Sequence, residues 1–278
     1  MTDRQQKFRE ILELLVMNQH TGWEVSYEYA IEGDAHYLRE LANFIAENLE
    51  EDVLWLLKEA IAGGNNEAYY ELGNYYYARA ETEEHLAQVF SYYKKAAEAN
   101  VADAMNNLAD MYLNGEGIDV NEKEAYFWFS QAAKLGVAEA KFTLGIMHEQ
   151  GLGVLVNERE ALFFYEQSAN AGYEEAQYRM GMIFFEGLLQ TPQNYEQAFF
   201  WFMQAAKHYQ LDAIFNVAYC YEHGYGVTQD VSEALLYYKQ ASLLGDGEAK
   251  WRLAELYEGI DTEQAQKWRR LANEQEEA

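Results

Sequence analysis

The side chains best suited to chemistry in this chain are six histidines, one cysteine and 47 carboxylates, set against 20 lysines and arginines. His20, His36, His85, His148, His208 and His223 are scattered, with no metal-ligand spacing such as His-Glu-x-x-His. Cys220 is alone, which excludes an intramolecular disulfide or a multi-thiolate metal site, and no nucleophile signature surrounds it. Gly115-Glu116-Gly117, Gly151-Leu152-Gly153 and Gly224-Tyr225-Gly226 lack the rest of any phosphate-binding motif and return once per period, as turns do. Carboxylates are too numerous for any pair to be diagnostic, and no pocket that would tune one can be read from the sequence. No catalytic residue, metal or cofactor is expected, so the chain is not expected to be an enzyme; recognition is the chemistry that remains.

The net charge of −27 would repel a phosphate backbone, which argues against nucleic acid as a partner, and would draw in a basic protein surface. The same charge also serves to keep a long helical array soluble. No apolar run approaches the roughly 20 residues of a membrane-spanning helix. The N-terminal segment carries Glu10 and Glu13 in an amphipathic pattern unlike the apolar core of a secretory signal. A soluble, cytoplasmic protein is expected, with no membrane partner. Pro192 is the single proline, and the wealth of Ala, Glu, Leu and Tyr favours helices.

What positions these groups is a repeat. Ala68, Ala104, Ala140, Ala176, Ala213 and Ala249 are spaced by 36, 36, 36, 37 and 36 residues. Four and five residues after each comes an apolar residue followed by a tiny one, as in Leu72-Gly73, Leu144-Gly145 and Met180-Gly181; eight after it stands an aromatic residue or His148. These offsets trace one face of a first helix. A glycine-bearing loop follows, with Leu189 replacing its second glycine in one copy. Asn121 with Glu124, Asn157 with Glu160, Asn194 with Gln197 and Asp230 with Glu233 predict capping boxes that open a second helix. That helix carries two adjacent aromatic rows, including Trp128-Phe129, Phe164-Tyr165 and Trp201-Phe202, then small residues, and ends at Gly136, Gly172 or Gly245.

The 36-residue period, the Gly-x-Gly loop and the Ala-Ala-x-x-Gly ending resemble the Sel1-like repeats of the tetratricopeptide superfamily, from Ala35 to the C-terminus. The resemblance implies an all-α fold, a right-handed α-α superhelical solenoid, because one hairpin cannot bury its apolar face alone. A single helical repeat domain over 1–278 is expected. It comprises N-terminal capping helices and a shortened repeat over 1–67, five full repeats over 68–248, and a shortened C-terminal capping repeat over 249–278. Tyr37, Leu41, Ala42 and Ile45 carry the early repeat, Phe8 to Met17 an earlier helix, and Ala265, Trp268 and Ala272 the last one.

In that superfamily the first helices line the concave side, and the resemblance implies that offsets −1, +2, +6 and +9 face it. Offset −1 is acidic throughout, and Glu139, Glu175 and Asp212 are candidate contacts; a carboxylate in a first turn is also favoured by the helix dipole whatever the function. Offset +2 contributes Tyr70, Asn106, Phe142, Tyr178, Phe215 and Trp251. Offset +6 contributes Asn74, Asp110, Met182, Tyr219 and Glu255. Five large aromatics on a line expected to be exposed exceed what packing requires, so an acidic, aromatic groove for a basic peptide or domain is expected. An adaptor or scaffold is the first reading and an antidote to a basic toxin the alternative; self-association through the end caps stays open.

Overall fold

The computed structural model describes residues 57–276, apart from 59 and 63. The expectations for Phe8–Met17 and for Tyr37, Leu41, Ala42 and Ile45 lie outside the described residues. The chain divides into two compact units, Met1–Gly64 and Asn65–Ala278, and the second carries the repeats described below.

Helices alternate along this unit in hairpins: α1 (Glu67–Tyr77) with α2 (Glu83–Glu98), α3 (Ala102–Asn114) with α4 (Glu122–Lys134), α5 (Ala138–Gln150) with α6 (Glu158–Asn170), α7 (Glu174–Glu186) with α8 (Tyr195–Ala206), α9 (Leu211–His223) with α10 (Val231–Leu243), and α11 (Gly247–Glu258) with α12 (Thr262–Glu276). Each helix packs chiefly on its sequence neighbours, so the unit is an all-helical solenoid. None of the described helices is long and apolar enough to cross a membrane.

The repeated alanines are buried, and the tiny residue five positions later explains the close approach of the two helices of a hairpin. A Cβ on Gly73 would come within 2.5 Å of the Tyr93 ring and one on Gly145 within 2.6 Å of Tyr165, with Gly181 and Phe202 repeating the overlap. Hairpins are joined to each other by rings. Phe90 meets Tyr112 edge-on at 5.1 Å, Tyr126 meets His148 at 5.6 Å and Phe199 meets Tyr221 at 5.3 Å. His148 takes the place of a tyrosine in this seam: it is buried, stacks on Phe164 at 5.5 Å, and its Nε2 lies 3.3 Å from the Tyr126 hydroxyl. Burial holds its pKa below the ordinary value.

The second helices start as the sequence predicts, with one correction. Asn121 Oδ1 accepts the Glu124 N–H at 3.2 Å, Asn157 the Glu160 N–H at 3.3 Å, Asn194 the Gln197 N–H at 3.1 Å and Asp230 the Glu233 N–H at 3.2 Å. The return bond of a capping box is not made. The backbone N–H of each cap residue donates instead to the preceding first helix: Asn121 to Tyr112 O, Asn157 to His148 O and Asn194 to Phe184 O, each at 2.8 Å, and Asp230 to Tyr221 O at 2.9 Å. The loop is thereby laced shut, and the Glu or Gln three residues on is released from capping.

The second loop glycine has its own reason. A Cβ on Gly117, Gly153 or Gly226 would overlap the backbone of Leu86, Glu122 or Tyr195 in the preceding second helix. The Gly117 N–H donates to Glu83 Oε2 at 3.3 Å and the Gly153 N–H to Glu122 Oε2 at 2.7 Å. Where Leu189 interrupts the pattern, Leu189 and Gln190 take positive φ (51° and 57°), and the Gln190 amide restores the link by donating to Glu158 Oε2 at 2.7 Å. In the next copy the acid is lost as well, and Tyr195 and Tyr225 stack across the gap at 4.6 Å.

Candidate partner-binding surface

Along the first helices the acidic row is uniformly exposed at Glu67, Asp103, Glu139, Glu175, Asp212 and Glu248. No described cation forms an ion pair with any of these carboxylates. Helices α3, α5 and α7 lack a side-chain cap at Val101, Val137 and Tyr173, so their acids sit beside open N-termini. Helices α9 and α11 are already capped by Gln210 and Asp246, yet they keep Asp212 and Glu248. The acid therefore recurs whether or not a cap is present.

The offset +2 aromatics correct the expectation of a line beyond the needs of packing. Tyr70 leans on Tyr93 at 6.0 Å, Phe142 on Tyr165 at 5.5 Å, Tyr178 on Phe202 at 6.0 Å and Phe215 on Tyr238 at 5.2 Å, each the second helix of its own hairpin. Each ring packs on that neighbour while the residue stays half-buried, and Trp251 is half-buried as well. Asn106 is buried, and its amide donates to Asp110 Oδ2 at 3.3 Å. Burial first, then Glu116 and Glu139, push the Asp110 carboxyl up to about 7. Asp110 also lines a hollow of about 270 Å³ with Asn74, Tyr77, Tyr93, Asn107 and Glu116. There Tyr93 donates to Asn74 Oδ1 at 2.8 Å and Tyr77 to Glu116 Oε2 at 3.0 Å.

Some of the predicted residues fall into two groups. In the first, Phe142 meets Tyr173 at 5.4 Å. Burial, then Glu139, Glu175, Glu174 and Asp110, raise the Tyr173 phenol to about 12, so these carboxylates all act on one ring. In the second, Tyr219 lies tilted against His223 (4.2 Å), near Tyr225 (5.9 Å) and Phe185 (6.3 Å), with the Arg252 guanidinium 6.0 Å from its ring centre. Tyr195 joins through Phe185 at 5.2 Å. Between the groups, Met182 Sδ receives the Asn216 amide at 3.9 Å. Glu255 at the far end is exposed and pairs with Arg252 at 3.3 Å.

Phe185 stands at offset +9, which the resemblance assigns to the concave side, whereas sequence reasoning missed Tyr173, Tyr195, His223 and Tyr225 beside it. The available signal was that Tyr195 stands where Glu122 and Glu158 open the other helices, and that tyrosine fills the middle of one Gly-x-Gly loop. It also missed the polar joints behind the rings. The Tyr165 hydroxyl donates to Glu149 Oε2 at 2.6 Å and Arg179 pairs with the same carboxylate at 2.5 Å; the Tyr238 hydroxyl donates to Glu222 Oε2 at 2.7 Å with Arg252 nearby. Burial foremost raises both phenols, so they stay protonated donors. Cys220 is buried with its thiol raised to about 12 by desolvation, which leaves it without nucleophilic character. Among the described residues no three His, Cys, Asp or Glu side chains cluster so as to hold a metal ion.

Comparison with known proteins agrees with this architecture. The Sel1 repeat model matches residues 102–137, 138–173, 174–209 and 211–246. A Sel1 repeat protein from Oxalobacter formigenes superposes with a TM-score of 0.72 at 25% identity, covering 85% of this chain and 98% of that one. A protective antigen, c5321, of uropathogenic Escherichia coli superposes with a TM-score of 0.75 at 27% identity; the match covers 91% of this chain and 56% of the antigen. An immunity protein from Pseudomonas aeruginosa aligns at 18% identity with a TM-score of 0.49, over 76% of this chain and 81% of that one. Among curated proteins none matches the sequence. With the family model covering more than half of its length and the hairpin geometry running through the same residues, the chain belongs to the Sel1 repeat family.

Proposed function

We propose that the first-helix face is a docking surface for a basic protein or peptide, and that the chain acts as an adaptor or scaffold. The observation that carries this reading is the row of exposed, unpaired carboxylates beside half-exposed rings. A Lys or Arg of the partner finds a carboxylate at Glu139, Glu175 or Asp212 and a ring face at Tyr178 or Tyr219, while apolar anchors settle against Phe142, Phe215 and Trp251. The Tyr219 group resembles a binding hot spot in composition, since three tyrosines and Phe185 lie together with an arginine beside them. The test is affinity capture with the full chain and with two variants, Glu139→Lys/Glu175→Lys/Asp212→Lys and Tyr178→Ala/Trp251→Ala. Partners held by the wild type are lost from both variants while thermal unfolding stays within a few degrees; retention of the same partners by both rejects the face.

The net charge of −27 favours a second, narrower reading, neutralisation of a basic toxin, because such a field speeds association with a cationic target. Toxicity on deletion of the gene, rescued by the chain but not by the charge-reversed variant, would support it. An association rate insensitive to salt would count against it.

A further inference from the structure

The outer side of the second helices carries a different surface. Phe127, Phe163, Phe200 and Leu236 occupy the same register in α4, α6, α8 and α10 and are 50%, 51%, 48% and 59% exposed. Each phenylalanine meets the buried or half-buried ring beside it in its own helix: Phe127 with Trp128 and Phe200 with Trp201 at 5.1 Å, and Phe163 with Phe164 at 5.4 Å. The result is an apolar ladder, larger than the scattered exposed apolar residues of an ordinary surface.

Between its first two rungs lies a hollow of about 600 Å³, walled by Phe127, Phe163 and Phe164 and floored by Leu144, with Lys134 and Lys141 among its lining. No carboxylate lines it, and neither lysine is ion-paired with a described residue. Two repeats further on, a smaller hollow of about 200 Å³ stands at the equivalent place, with Lys207 where Lys134 was and again no carboxylate. In a chain with 47 acidic residues against 20 basic ones, two equivalent hollows lined by lysine and free of acid are the inverse of the first-helix face.

We propose that the ladder is a second docking surface, for a partner segment in which an aromatic or leucine side chain lies beside a carboxylate. The ring or leucine enters between Phe127 and Phe163, and the carboxylate meets Lys134 and Lys141. Because the occupant is acidic, the chain's overall field opposes its approach while the two lysines hold it locally. Added salt therefore speeds its association, the reverse of the response expected for a basic ligand.

Fluorescence anisotropy with the full chain and two labelled peptides of the same length tests this. One peptide alternates Glu with Phe and Leu; the other replaces each Glu by Lys. The acidic peptide is expected to bind, to lose at least tenfold in affinity to Lys134→Glu/Lys141→Glu and also to Phe127→Ser/Phe163→Ser, and not to be weakened by reversal of Glu139, Glu175 and Asp212. Circular dichroism melting within a few degrees of wild type establishes that the variants fold. Failure of the acidic peptide to bind, equal binding of the lysine peptide, or unchanged affinity in either ladder variant overturns the proposal. So does a concentration-dependent dimer abolished by Phe127→Ser/Phe163→Ser, which would make a second copy the occupant.

Discussion

Around Tyr165 the phenol donates to Glu149 and Arg179 closes on the same carboxylate, whereas one hairpin later Phe202 has no hydroxyl, Phe185 stands where Glu149 stood and Asn216 where Arg179 did. Phe185 instead touches Phe202 at 6.1 Å and passes the contact on to Tyr219 and Tyr225. The next joint, Tyr238 with Glu222 and Arg252, returns to the polar form. Both kinds of joint rest an aromatic ring on a tiny residue of the first helix, so the backbone geometry is shared. The lesson is that the three variable positions work as a set. In these three joints a carboxylate stands with a phenol and a cation beside it, and Phe185 takes its place where both are absent.

The shared part is the place to break both joints. Gly145→Val and Gly181→Val each force a branched side chain into the ring above, and each should cost about 3–5 kcal/mol, enough to abolish cooperative melting of the neighbouring hairpins by calorimetry. Equal losses at the two sites would show that the ring-on-glycine contact, rather than the polar set, holds a joint together.

Exchanging one member of a set separates the joints. Glu149→Phe leaves the Tyr165 hydroxyl and Arg179 without their partner and should cost about 1–3 kcal/mol, discounted because the pair is partly solvated. The combined change Glu149→Phe/Tyr165→Phe/Arg179→Asn should recover most of that loss in denaturant melts. If the triple variant is no better than the single one, the positions do not act as a set.

Asp110 sharpens the same point, since unlike Glu149 it pairs with no cation among the described residues. Its pKa of about 7 lies above the ordinary 3.8, so the folded state holds a proton that the unfolded state releases between those values. The cost to stability grows as pH rises through that window and is complete above it. Asp110→Asn should therefore raise stability by about 1–2 kcal/mol at pH 8 and by little near pH 4.5. Equal gains at both values would remove desolvation as the cause.

The smallest effect is expected at the ends of the second helices. Gly172 has a φ of 96°, but a Cβ there meets nothing, and Asn100 and Tyr209 take left-handed φ of 70° and 61° at the same place in other repeats. Gly172→Asn should cost less than about 1 kcal/mol. Gly153→Asn, which must also push into Glu122, should cost several times more in the same melts.

Much of this was legible in the chain because it depends on near neighbours. The buried alanines, the tiny residue under each ring, the cap acceptors and the positive-φ glycines all follow from offsets within one hairpin. The reciprocal half of the capping box was misread because the N–H of Asn121 or Asn157 is claimed by a carbonyl nine residues back, a competition that appears only once the loop has closed. The Tyr219 group was only partly legible: Tyr219 and Phe185 stand at offsets +6 and +9 of their helices, but Tyr195 and Tyr225 belong to two further elements.

The sequence by itself determined the period, the helix boundaries and the family, because local propensity, capping and the spacing of apolar residues repeat in every copy. Tertiary structure alone decided which carboxylates are matched by cations and which are left to solvent. Glu149 and Arg179 are 30 residues apart and meet only when adjacent hairpins stack, while Glu139 and Glu175 carry the same charge at every level of description and are left exposed. It also decided that Lys134 and Lys141 come together in one hollow beside the ladder, because a hollow between hairpins exists only after they pack.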